Sequence, residues 1–289
     1  MRFFTKLSLS LFFLFVVFLL PLVSFAANKY IRADASGDGS DWNNAYGSLP
    51  DTLNRGDTYY ITDGSYGGYL FDDALSGTQY IYIKKATATD HGTATGWNDS
   101  YGDGQAAFGP IKFKSDYFEF DGNTDTAGRY GFAVSGASSG SNVLIAANHI
   151  TVKDTTARAD GKARVRVFEI EYANNILVEN AEAWDTDNDA FQVQNVSGIT
   201  LDHIHLHTRT DAGVGTHGDA FELQGSVDNF ILRHSAIQWN GQQIFFGGAG
   251  DHTYGSFTIH GNVFYGIDTP SASWKALTDN SLAVLNGPI

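Results

Sequence analysis

Two stretches, "DNDAFQVQNV" and "THGDAFELQG", set acidic residues beside a repeated phenylalanine and are the places where this chain could do chemistry. Aligned on Phe191 and Phe221, they put Asp189 over Asp219 and Asp187 over His217. Two carboxylates held one strand spacing apart repel each other unless one keeps its proton or a cation lies between them. The cation outcome is a Ca²⁺ site made of Asp189, Asp219 and Glu222, since calcium takes several hard oxygen ligands and would also bind the carboxylate of a uronic acid. Neutralising that carboxylate acidifies the neighbouring C–H, and Arg166, Arg164 or His217 would then remove the proton in a β-elimination. The proton outcome is a glycoside hydrolase, with neighbouring carboxylates at roughly 5–5.5 Å for retention or two-rung neighbours near ~6.5–9.5 Å for inversion.

These residues need a scaffold that repeats. "ARVRVFEIEY", "TDNDAFQVQN", "THGDAFELQG" and "GQQIFFGG" align on Phe168, Phe191, Phe221 and Phe245, at spacings of 23, 30 and 24 residues. A second column follows in "NILVEN", "GITLDH", "NFILRH" and "SFTIHG", aligning Ile176, Ile199, Phe230 and Phe257, then Val178, Leu201, Leu232 and Ile259. Units of this length with short strands and no helix between them predict a solenoid. Period-2 alternation turns Phe168, Phe191 and Phe221 inward, with Ile170, Val193 and Leu223. The same rule turns Glu169, Gln192, Glu222 and Phe246 outward as the expected substrate face, in the company of Arg164 and Arg166. Asp187 and Asp219 are the expected catalytic acids, and His217, on the longest unit, is the expected general base in competition with Arg166.

Composition narrows the partner. The chain carries 18 Lys+Arg against 32 Asp+Glu, a net charge of −14, which disfavours nucleic acid. There is no cysteine, so neither a disulfide framework nor thiol chemistry is available. "MRFFTKLSLSLFFLFVVFLLPLVSFAA" has the basic start, apolar run and small-residue end of an export signal, with cleavage expected after Ala26 and a secreted, periplasmic or cell-surface protein after it. No second apolar run of that kind follows, so the expectation is a monomer off the membrane that meets a polysaccharide. The expected organisation is residues 1–26 as signal, 27–56 as an N-terminal cap and 57–289 as the repeat. "SLAVLNGPI" reads as a further strand without a capping element, which suggests that the repeat continues beyond it. In "YGSLPDTLNRG", Leu49 and Leu53 form one apolar face of an expected short helix ended by Gly56.

The segment "YIRADASGDGSDWNNAYGSLPDTLNRGDTYYITDGSYGGYLF" resembles the opening of secreted right-handed parallel β-helix proteins of the pectate-lyase-like superfamily. The resemblance implies an all-β, single-stranded right-handed parallel β-helix with a helix-containing cap, and a polysaccharide-related role. "DTDNDAFQVQ", "HGDAFELQ" and "NGQQIFFGG" are similar to the ordered active-site segments of polygalacturonases, with Asp187 and Asp219 matching two of the aspartates. Gly218 and Gln242 stand where that pattern has an aspartate and a histidine, and the match is discounted for that reason. "FELQGSVDNFILRH" resembles the calcium strand of the alginate lyase and chondroitinase B family but lacks its following lysine and its Arg-His-Gly strand. The preferred expectation is a Ca²⁺-assisted lyase on an acidic glycan, ahead of a glycoside hydrolase and of a non-catalytic glycan binder.

One further motif remains. "HIHLH" sets His203, His205 and His207 on alternate positions, a spacing that suits Zn²⁺ or Cu²⁺. The neighbouring units put Glu182 and Trp184 on one side and Ala236 and Gln238 on the other, and the expectation is a solvated outer face without a converging ligand set.

Overall fold

The computed structural model describes residues 26–123, 130–162, 164–186, 188–207, 218–238, 242–247 and 252–265. Its strands pair in parallel with the strand one unit earlier and one unit later, which makes a β-solenoid of three sheets. The first sheet runs through Asn28–Ile31, Thr58–Ile61, Ile81–Lys85, Phe118–Asp121, 150–153, 176–179, 199–202, 230–233 and Phe257–His260. The second runs through Gly64–Tyr66, Ala106–Phe108, Phe132–Val134, 155–157, 181–184, 204–207, Ala236–Gln238 and Val263–Tyr265. The third runs through Tyr69–Phe71, Ile111–Phe113, 143–145, 165–170, 191–194, 219–224 and Gln242–Phe246.

Strands this short form sheets because each inward side chain lies on its counterpart in the next rung. Ile176, Ile199, Phe230 and Phe257 make one continuous column, and Val178, Leu201, Leu232 and Ile259 make another, as the sequence predicts. The rings of Phe168 and Phe191 are parallel to within 3° at 4.5 Å, and Phe191 and Phe221 follow at 5.5 Å. All three are fully buried, and each contributes roughly 3–5 kcal/mol of packing that truncation would remove.

The corners between sheets have their own sequence rule. Tyr117, His149, Asn175, Gly198 and Asn229 precede successive first-sheet strands with φ between 51° and 72°. Asp154, Asn180, His203 and His234 separate first from second sheet with φ between 46° and 54°. A left-handed residue turns the chain through a sharp angle within one position, and Asn, Asp and His tolerate it better than branched residues do. The corners are also stitched together: Asp116 accepts from the Asn148 backbone N–H at 2.8 Å, and Asn148 from that of Asn174 at 2.9 Å.

Two expectations need correction. No helix forms over 47–56; the described residues hold one helical turn, the 3₁₀ turn Asp99–Tyr101. Pro50 disfavours a helical Leu49, and the Leu53 N–H donates to Asp73 Oδ1 at 2.6 Å instead of to a helical carbonyl. Leu49 and Leu53 are buried all the same, and Arg55, donating to carbonyls of Asp73, Ala74, Asp116 and Tyr117, fastens this segment to the first rungs. The second correction is one of register. Phe221 pairs with Ile244, Glu222 with Phe245 and Leu223 with Phe246, so the last aligned unit is displaced by one position. Phe246 therefore falls in the Leu223 column rather than in the row of Gln192 and Glu222; it packs edge-on against Tyr254 and Phe257 and is still 37% exposed. By the same shift Gln242, rather than Gln243, stands opposite Asp219.

Candidate functional site

The third sheet places its polar residues on three consecutive rungs. Glu169, Gln192 and Glu222 are in register on the outward face. At the entrance to the same strands the Val167 N–H donates to the Asp189 carbonyl, and the Ala190 N–H to the Asp219 carbonyl, so the residues at this corner also stand one above another. Arg166 belongs to the same corner.

Side chains close the cluster. Asp189 Oδ1 accepts from the Asp219 backbone N–H at 3.1 Å, and Asp189 Oδ2 lies 3.5 Å from Arg166 Nε. Arg166 Nη1 also reaches Glu169 Oε1 at 3.3 Å. Gln192 Nε2 donates to Glu222 Oε2 at 2.7 Å, and Gln224 donates to the other oxygen of Glu222. Asp189 and Asp219 are only 4% and 2% exposed, which makes this a desolvated group of carboxylates with the Arg166 guanidinium at its edge.

The consequence is a displaced proton equilibrium. Burial, then the charge of Glu222, pushes the Asp189 carboxyl up to about 7; the Asp219 N–H works in the opposite direction, and the charge of Asp219 and a hydrogen bond with Glu222 raise it further. A carboxyl that keeps its proton to near neutral pH, hydrogen-bonded to a second carboxyl, can deliver that proton as a general acid.

Of the residues named from sequence, Arg166, Glu169, Asp189, Gln192, Asp219 and Glu222 come together here. Arg164 sits on the preceding turn and is exposed. Asp187 and His217 lie outside the described residues. Gln224, which the period-2 alternation turns outward with Glu222 but which the sequence did not mark as a site residue, joins the cluster through Glu222. The histidine motif also behaves differently from its linear pattern. His203 occupies a left-handed corner and meets Asp202 and His234, whereas His205 and His207 stay on the second sheet and converge with Glu182. The expectation that no ligand set converges on that face is thereby corrected: Glu182 reaches diagonally past its direct partner His205 to His207.

No family model matches the sequence, and no curated protein is similar to it. A solved structure with a related chain path is that of the pectin methylesterase from Aspergillus niger, at 12% identity and a TM-score of 0.40, covering 88% of this chain and 90% of that one.

Proposed function

We propose that this protein is a polysaccharide-active β-helix enzyme whose third sheet hydrolyses a glycosidic bond by acid–base chemistry. The observation that carries the reading is the buried Asp189 carboxyl, raised to about 7 beside Glu222. In this reading the Asp189–Glu222 couple protonates the departing sugar oxygen. Glu169, oriented by Arg166, is the general base that activates water. Glu169 and Glu222 stand two rungs apart in register, about 9.5 Å along the sheet, which falls at the upper end of the separation that leaves room for a water and gives inversion. Gln192, between them, donates its amide to Glu222 and so holds that carboxylate in place. In this reading a proton shared by the couple relieves the repulsion among the carboxylates.

The test is a screen over neutral glycans and polyuronates, with and without chelator. The expected result is new reducing ends of inverted configuration, no near-ultraviolet product absorbance, and a ~10²–10⁴-fold loss of turnover in Glu169→Gln and in Glu222→Gln. An unsaturated, ultraviolet-absorbing product that disappears in chelator would overturn the hydrolase in favour of a Ca²⁺ site on Asp189, Asp219 and Glu222. Binding without any product would leave a glycan-binding solenoid.

A further inference from the structure

The second sheet carries an independent cluster on its outer face. His205 and His207 project from one strand at alternate positions, and Glu182 projects from the rung before, directly opposite His205. His207 Nε2 lies 3.1 Å from Glu182 Oε1 and 3.1 Å from His205 Nδ1, and His205 Nδ1 lies 3.9 Å from Glu182 Oε1. Two imidazoles and a carboxylate thus offer three donor atoms at the corners of one small triangle. With metal–ligand bonds of about 2.0–2.1 Å, the edge of a zinc tetrahedron is about 3.3–3.4 Å, and the triangle needs shifts of only a few tenths of an ångström to match it.

The surroundings fit the same purpose. Thr156, one rung further back, donates its hydroxyl to Glu182 Oε2 at 2.8 Å, which orients the carboxylate and leaves Oε1 for a metal. The three side chains are 23%, 38% and 34% exposed for Glu182, His205 and His207, so a fourth position would open to solvent. The nearby Arg158 is engaged elsewhere, with its Nε 2.7 Å from Asp160 Oδ1 and its guanidinium over the Trp184 ring.

A second convergence on the same rungs makes an instructive contrast. Asp202, His203 and His234 also bring their donor atoms together, but Arg233 Nε and Nη2 both sit 2.7 Å from Asp202 Oδ2. A cation is already in place there, and a metal would have to enter beside it.

We propose that Glu182, His205 and His207 form a binding site for a divalent transition metal of the zinc class, with one coordination position left to water or to an anionic oxygen ligand. It joins two rungs of the second sheet and is separate from the carboxylates of the third. A metal held this way would lower the pKa of its water toward about 7 and bind a carboxylate or phosphate oxygen at the open position.

The test uses the full chain stripped with chelator, then titrated with Zn²⁺ by calorimetry and by melting temperature. The expected result is one saturable Zn²⁺ site that raises the melting temperature. Glu182→Gln keeps the shape and the Thr156 contact and should retain the far-ultraviolet circular dichroism of the parent while losing that site; His207→Ala should lose it too. Thr156→Val should weaken binding about 10–100-fold. Asp189→Asn and His234→Ala should leave it unchanged. Absence of Zn²⁺ binding by the parent, undiminished binding by Glu182→Gln, or loss of binding in Asp189→Asn would each overturn the proposal.

Discussion

Two polar clusters that share two rungs of the solenoid reach opposite electrostatic solutions. On the third sheet the carboxylates Asp189 and Asp219 are almost fully withdrawn from water, and the Arg166 guanidinium approaches Asp189. On the second sheet Glu182, His205 and His207 remain a quarter to a third exposed and need no such compensation. Parallel pairing sets the neighbours in both places, with Gln192 between Glu169 and Glu222 on the third sheet and His205 opposite Glu182 on the second. What differs is solvent. Where water is excluded, stacked carboxylates hold a proton they would otherwise release; where water enters, the stacked donors stay free to take a metal. The comparison teaches that register chooses the neighbours and burial chooses the chemistry.

The strongest way to break the comparison is to remove the rungs that both clusters share. Phe191 stacks between Phe168 and Phe221, fully buried, and its strand runs on to carry His205 and His207. Phe191→Ala should destabilise the fold by ~3–5 kcal/mol, seen as a lowered denaturation midpoint, and should weaken glycan turnover and Zn²⁺ binding together. Loss of one without the other would mean that the two faces do not depend on a common stack.

A sharper test isolates the third sheet. The Asp189 carboxyl moves from an unfolded value of 3.8 to about 7 in the fold. Below the lower value both states are protonated. Between the two the unfolded chain has released its proton and the folded chain keeps it, so stability falls as pH rises through this window and levels off above about 7. The total is on the order of a few kcal/mol. Asp189→Asn should flatten that slope and leave the variant more stable than the parent at pH 8, because the amide still accepts from the Asp219 N–H and can donate to Glu222. Denaturation midpoints at pH 4, 6 and 8 would check it, and a parent whose stability is level across this range would contradict the assigned burial. The second sheet's Zn²⁺ site should not respond to this substitution.

Much of this arrangement was legible in the chain because parallel rungs make sequence columns and structural columns the same thing. Phe168, Phe191 and Phe221 fell in register, as did Glu169, Gln192 and Glu222, because a period of two fixes the partners of each row. The alignment slipped where alternation fails: in "QQIFF" two adjacent rings leave the register open by one position, and the pairing sets Phe246 beside Leu223, against Tyr254 and Phe257. The expected helix at Leu49 and Leu53 was lost to Pro50 and to the distant Asp73, a contact that local pattern does not contain. The histidine face was misjudged because the left-handed corner at His203 removes one member of "HIHLH", and because Glu182 reaches its second partner on a diagonal.

The smallest expected effect sharpens the contrast within the histidines themselves. At the corner, Asp202 is kept below the usual carboxylate range: burial alone would raise it, and hydrogen bonds from His234 and Arg233 outweigh that. His234 Nδ1 lies 2.9 Å from Asp202 Oδ1, His203 Nδ1 lies 2.8 Å from the same oxygen, and Arg233 holds the other. His234→Ala therefore removes one of several partners and leaves the aspartate paired with Arg233 and His203. It also exchanges one left-handed residue for another that tolerates the conformation less well. The expected cost is about 0.5–1.5 kcal/mol, with glycan turnover and Zn²⁺ affinity both unchanged. A loss of Zn²⁺ binding in His234→Ala would place the metal at the Asp202 corner, despite the guanidinium beside it, and would show that exposure alone does not decide which of two stacked clusters receives a cation.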